Sequence, residues 1–154
     1  MREFDHSLAI EASSTRILEA FFNAHDLTSW WHVSRSLCVP RMLGSYAVEW
    51  EPTEWKDNLL GRFGGVFRGT VVDFKPGREF LVADSYWLPP DGDPIGPMAF
   101  EAACTRLGER VLLHVRQSGG DNNQRWSRYY ELLASDLKLA LSELKIYLET
   151  SPRQ

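Results

Sequence analysis

From Trp126 onward the apolar residues fall at Trp126, Tyr130, Leu133, Leu137, Leu141, Leu144 and Leu148. That three-and-four spacing predicts one long helix with a single buried stripe. Ahead of it, residues 110–117 alternate apolar and polar until Ser118-Gly119-Gly120, the pattern of a half-buried strand ended by a turn. The same period of two recurs at Phe4, His6, Leu8 and Ile10, at Tyr46, Val48 and Trp50 after Gly44, and along residues 66–74, 79–87 and 98–105. Lys75-Pro76-Gly77 joins two of these runs as a hairpin turn. Ser13 and Ser14 offer an N-cap for a short helix carrying Ile17, Ala20, Phe21 and Ala24, and residues 27–32 predict a further helical turn holding Trp30-Trp31. Residues 53–65 read as a long connection with a short strand or turn inside it. The prolines and glycines of residues 88–97 read as an exposed loop belonging to neither helix nor strand, a rim or lid. A long helix needs a large apolar surface to lie on. The pattern therefore predicts an α+β fold: a curved antiparallel sheet of about six strands wrapped around the C-terminal helix, with short helices after the first strand.

Composition narrows the function more than the fold. With 154 residues, 44% hydrophobic and 25% charged, the chain suits one globular domain spanning residues 1–154. A formal charge of -4 gives no electrostatic reason to bind nucleic acid. No window approaches the ~20 apolar residues of a spanning helix, so membrane insertion is not expected. Residues 1–6 lack a signal-peptide core, and a cytoplasmic location is the expectation. Cys38 and Cys104 lack metal or CxxC spacing and read as reduced, partly buried thiols. His25, Asp26 and His32 match no metal motif, Gly64-Gly65 and Gly119-Gly120 lack the signatures of phosphate or dinucleotide loops, and no GxSxG elbow is present. Neither a cofactor nor a metal is implied, and no catalytic residue is assigned. Arg125, Arg128 and Lys138 read as a solvated helix face.

The concave side of such a sheet takes alternate residues from each strand. Chosen by apolar content, together with the helix and the tryptophan pair, the candidate ligand-binding residues are Trp31, Tyr46, Val48, Trp50, Phe67, Asp84, Tyr86, Phe100, Leu113, Gln117, Tyr130 and Leu133. Many aromatics with a few polar groups suit a small, largely apolar molecule, while the alternative for each residue is plain core. Asp84 is the sharpest single candidate. Inward among aromatics it would be an expensive carboxylate with a raised pKa, able to bind a donor or act as a base; a one-residue bulge would instead turn it to solvent. Asp136 raises the same question on the helix, where a solvent-facing edge is expected.

The order of elements resembles the helix-grip fold of the START-like (SRPBCC) superfamily, and more closely the activator of heat-shock protein 90 ATPase homologue-like family. The matching pieces are residues 13–21, Trp30-Trp31, the turn at residues 41–44, the glycine-led strand Gly69-Thr70-Val71-Val72-Asp73-Phe74-Lys75-Pro76, Ser118-Gly119, and residues 141–149 of the last helix. They are structural motifs without a catalytic signature. The chain departs from the family pattern at Asp136-Leu137, where a Gly-Trp pair is usual, at Asp84, where an aromatic is common, and at Val111-Leu112-Leu113-His114, where a threonine-led strand is common. The resemblance implies a pocket for a hydrophobic or amphipathic ligand. It leaves as alternatives an aromatase/cyclase-like or hydrolase-like enzyme using an acid in that pocket, or a protein-interaction module. Chaperone activation is the weakest of these, since the chaperone-activating members carry an additional N-terminal domain. Any self-association is expected to give a homodimer, the commonest oligomer.

Overall fold

The computed structural model describes residues 3–150. Strand β1 (Glu3–Ile10) is followed by helices α1 (Ser14–Glu19) and α2 (Ala24–Trp31). Then come β2 (Arg35–Cys38), β3 (Ser45–Trp50), a small ribbon of β4 (Lys56–Asp57) and β5 (Gly61–Arg62), and the long strands β6 (Gly65–Lys75), β7 (Glu79–Leu88), β8 (Ile95–Leu107) and β9 (Arg110–Ser118). Helix α3 (Gln124–Thr150) closes the chain. Seven strands form one antiparallel sheet in the order β1-β9-β8-β7-β6-β3-β2, and β4-β5 stands apart. The sheet thus exceeds the expected six strands by β2, whose Arg-Ser-Leu-Cys sequence carries almost no alternation.

Each helix begins where a side chain satisfies its free N–H groups. Ser13 Oγ accepts from the Arg16 N–H, Asn23 Oδ1 from Asp26, and Asn123 Oδ1 from Trp126, the last at 3.0 Å. Helix α3 is 27 residues long, about 40 Å, and buries Trp126, Tyr130, Leu137, Leu141, Leu144 and Leu148 of the expected stripe. Its far end is tied to β1: Lys145 Nζ donates to the Ala9 carbonyl at 2.7 Å, and Glu149 accepts from the Glu11 N–H at 2.8 Å.

Helices α1 and α2 fill one half of the sheet's concave side. Phe21 packs edge-on against Trp30 with ring centroids 5.2 Å apart, and Phe22 against Phe80 at 4.9 Å. Tyr46 is fully buried beneath them and donates its hydroxyl to the Phe21 carbonyl at 2.8 Å. A buried ionic knot fastens the helices together. Asp26 accepts two hydrogen bonds from Arg16, at 2.7 and 2.9 Å, and one from Tyr147 of α3 at 2.5 Å. The other half of the concave side, under the middle of α3, has no such filling.

Two sequence expectations fail here. Residues 88–97 are not a free loop: Pro89 and Ile95 are buried, and β8 already begins at Ile95 and runs through Gly96-Pro97. Pro97 is accommodated where the β7–β8 register slips between the Ser85–Met98 and Trp87–Ile95 pairs. Arg125 of α3 donates to the carbonyls of Asp93, Pro94 and Leu59, pinning the segment. Asp84 and Tyr86 do not face the concave side. Val82 pairs with Phe100 and Ser85 with Met98, so β7 carries one extra residue at that point. Asp84 takes up that bulge at φ 51 and is exposed. The phase of the strand flips, and Ser85 and Trp87 become the buried residues. Gly69 on the adjoining strand makes the bulge sterically feasible, since a Cβ there would lie 2.7 Å from Val82 and 2.9 Å from Ser85.

Candidate functional site

The unfilled half of the concave side is a cavity of about 400 Å³ between the sheet, α3 and the segment that carries β4 and β5. Its size falls within the range of small-molecule sites. Of the twelve candidates, Trp31, Trp50, Phe67, Phe100, Gln117 and Leu133 stand on its wall. Tyr46, Val48 and Leu113 lie in the solid core beside it, each fully buried. Tyr130 is turned from the wall and donates its hydroxyl to the Gly119 carbonyl at 2.8 Å, leaving the neighbouring Tyr129 on the wall in its place. Asp84 and Tyr86 are on the opposite face of the sheet.

The aromatic wall is built to a fixed shape. Trp31 stacks on the buried Trp30 at 4.9 Å with planes 9° apart, and Trp50 meets its edge at 5.3 Å. The Trp50 indole N–H donates to the Trp31 carbonyl at 2.9 Å, which locks the end of α2 to β3. Across the cavity Trp87 donates to the Gly64 carbonyl at 2.9 Å and stacks with Phe63 at 6.0 Å. Leu60, almost fully buried, completes this side. Residues 53–65, which the sequence presents only as a connection, therefore supply a wall. Asp57 holds it in place, accepting from the N–H groups of Leu59 and Leu60 and from Arg128 Nε of α3 at 2.8 Å.

The polar groups on the wall fall into two kinds. Gln117 is 3% exposed. Its Nε2 donates to the Tyr129 hydroxyl at 2.6 Å and lies 3.1 Å from the Met98 sulfur, and its Oε1 has no hydrogen-bond partner among the described residues. One end of the amide is thus committed to the protein and the other is open, where a ligand's polar group would complete it. Burial holds the Tyr129 hydroxyl well above its ordinary pKa, so it is neutral. The remaining polar side chains are the uncharged Thr53, the acids Glu51, Asp136 and Glu143, and the imidazole of His32; His32 Nε2 and Glu143 Oε1 are 3.0 Å apart. Asp136 is exposed at the edge of α3, as its place beside Leu137 leads one to expect, and the partial burial of its carboxyl raises its pKa. Among the described residues no group of three or more His, Cys, Asp or Glu side chains is arranged to hold a metal, and no helix is long and apolar enough to cross a membrane. Cys38 and Cys104 are free thiols, both pushed up by burial to about 11.

Among the wall residues absent from the twelve candidates are Leu60, Phe63, Trp87 and Tyr129, and the acids Glu51, Asp136 and Glu143. For Trp87 the only signal was the bulge alternative itself, which reverses the face of everything after Asp84. Tyr129 sits one residue from the apolar stripe and looks like the shoulder of the helix rather than its buried face.

A curved antiparallel sheet gripping one long C-terminal helix, with a cavity between them, is the helix-grip fold. Solved structures of similar fold include protein MLL2253 from Mesorhizobium loti, 16% identical over 99% of this chain and 100% of that one, with a TM-score of 0.74. They also include the Aha1 dimer from Colwellia psychrerythraea, 15% identical over 97% and 98% of the two chains with a TM-score of 0.69. A third is DynU16, a putative protein in the dynemicin biosynthetic locus, 18% identical, covering 97% of this chain and 48% of that one with a TM-score of 0.66. These likenesses agree with the resemblance to the Aha1-like branch in fold. No protein-family model and no curated protein matches the sequence.

Proposed function

We propose that the protein binds a small, largely apolar molecule in the cavity between its sheet and α3. The carrying observation is the half-open amide of Gln117, buried on a cavity wall made mostly of aromatic and leucine side chains. Apolar walls supply affinity at ~25 cal/mol per Å² of ligand surface removed from water, and the amide supplies orientation. Titration with 2-naphthylmethanol followed by ¹H–¹⁵N NMR tests this. Saturable shifts at Trp31, Trp50, Trp87, Gln117 and Leu133 are expected; unsaturable or scattered shifts would refute it. A second reading, acid/base catalysis in the same cavity, draws on the raised pKa of Asp136. It predicts turnover that Asp136→Asn abolishes while binding survives. For self-association the expected form is a homodimer, the form named for the Colwellia protein, and sedimentation velocity reads it directly.

A further inference from the structure

The charged side chains on the cavity wall are unequal in sign. Three are acids, Glu51, Asp136 and Glu143, and neither lysine nor arginine is among the lining residues. His32 is the single titratable base there, and it is engaged by Glu143 at 3.0 Å. Glu51 and Asp136 have neither an ion-pair nor a hydrogen-bond partner among the described residues. Asp136 and Glu143 are two helical turns apart on α3, about 10 Å along its axis, so they share one face of the helix. Between them on that face are Leu139, which is 62% exposed, and Ala140, both of them on the cavity wall. The acids therefore border the apolar surface where it meets solvent, while Gln117, almost fully buried, marks the interior.

The nearby arginines are committed elsewhere. Arg128 pairs with Asp57, Arg125 is spent on three backbone carbonyls, and Arg62 is 3.9 Å from Asp91. Even with His32 protonated, the wall keeps a negative excess, which sits at the solvent-exposed mouth and is therefore partly screened. A carboxylate-bearing ligand would meet that field unfavourably, and a cation would relieve it.

Resting on the binding role given above, we propose that the preferred ligand is a cationic amphiphile: an apolar body in the cavity, with an amine-class group at the mouth, drawn there by the negative field of Asp136, Glu51 and Glu143. A ligand hydroxyl, carbonyl or N–H directed inward would meet the Gln117 amide. The open amide is the independent sign that the cavity receives a molecule, and the acids specify the charge of that molecule.

The test compares 2-naphthylmethylamine, 2-naphthylmethanol and 2-naphthoate by isothermal titration calorimetry at neutral pH, on the wild-type protein and on Asp136→Asn, Glu143→Gln and the double variant. The amine is expected to bind about five- to tenfold more tightly than the alcohol, and the carboxylate least tightly, as suits partly screened charge pairs. Added salt narrows the difference. In the double variant the amine loses its advantage over the alcohol. The inference is overturned if the alcohol or carboxylate equals the amine in the wild type, or if the amine's advantage persists in the double variant. Binding of the alcohol alone overturns the charge assignment and leaves the cavity's role standing; binding of none of the three overturns both.

Discussion

Two carboxylates show how side-chain surroundings set chemistry in this protein. Asp26 is buried, which by itself would raise its pKa, but two hydrogen bonds from Arg16 and one from Tyr147 outweigh burial and hold it below its ordinary value of 3.8. A carboxyl depressed in the native state stabilises the fold above its unfolded value, and that stability is lost as pH falls through the native one. Asp26→Asn is therefore expected to cost about 2 kcal/mol at pH 7, below the range for a fully buried pair because Arg16 is partly exposed. Urea unfolding across pH should show the difference between wild type and variant shrinking below about pH 4; a difference that persists undiminished in acid would contradict this assignment. Asp136 has the opposite sign. Asp136 is exposed and has no side-chain partner among the described residues, and solvent screens most of the burial that raises its pKa, so Asp136→Asn should leave the melting temperature essentially unchanged at neutral pH.

At the level of elements, the cavity depends on a segment whose own secondary structure is slight. Ribbon β4-β5 has two residues per strand, and its position is set by Asp57 meeting Arg128 on α3 and by Trp87 meeting the Gly64 carbonyl. Arg128→Ala is expected to raise amide hydrogen exchange across residues 51–64 and weaken ligand binding severalfold, with little change in the exchange of β8 and β9. Equal loosening of the central strands would show that the pair supports the whole fold rather than the wall. The long elements were legible in sequence because their periods are strong: the α3 stripe, the hairpin around Lys75-Pro76-Gly77, and the alternation of β9 all appear as expected. The site was legible only in part. Trp31, Trp50, Phe67, Phe100, Gln117 and Leu133 follow from simple alternation and helical spacing, but one residue inserted at Asp84 exchanges the faces of β7, and it replaces Asp84 and Tyr86 by Ser85 and Trp87. The wall at residues 53–65 was hidden for another reason. Its order comes from partners more than sixty residues away, Arg125 and Arg128, and local sequence carries no trace of them.

Across the whole molecule the concave side is divided. One half is packed solid by Phe21, Phe22, Trp30 and Tyr46 under α1 and α2, and the other half is left open under α3. The same helix stripe serves both halves, so substitutions along it should separate stability from binding. Leu141 is fully buried, and Leu141→Ala should cost about 2–5 kcal/mol. Leu133 is half-buried and lines the cavity, so a larger side chain there has room to occupy the ligand's space. The most direct measurement is therefore calorimetric titration of 2-naphthylmethanol into wild-type protein and Leu133→Trp, alongside thermal unfolding of each. Saturable binding by the wild type, lost in a variant that melts at or near the wild-type temperature, is the predicted result. Absence of binding by the wild type, or undiminished binding by the folded Leu133→Trp variant, would contradict a ligand site between the sheet and α3.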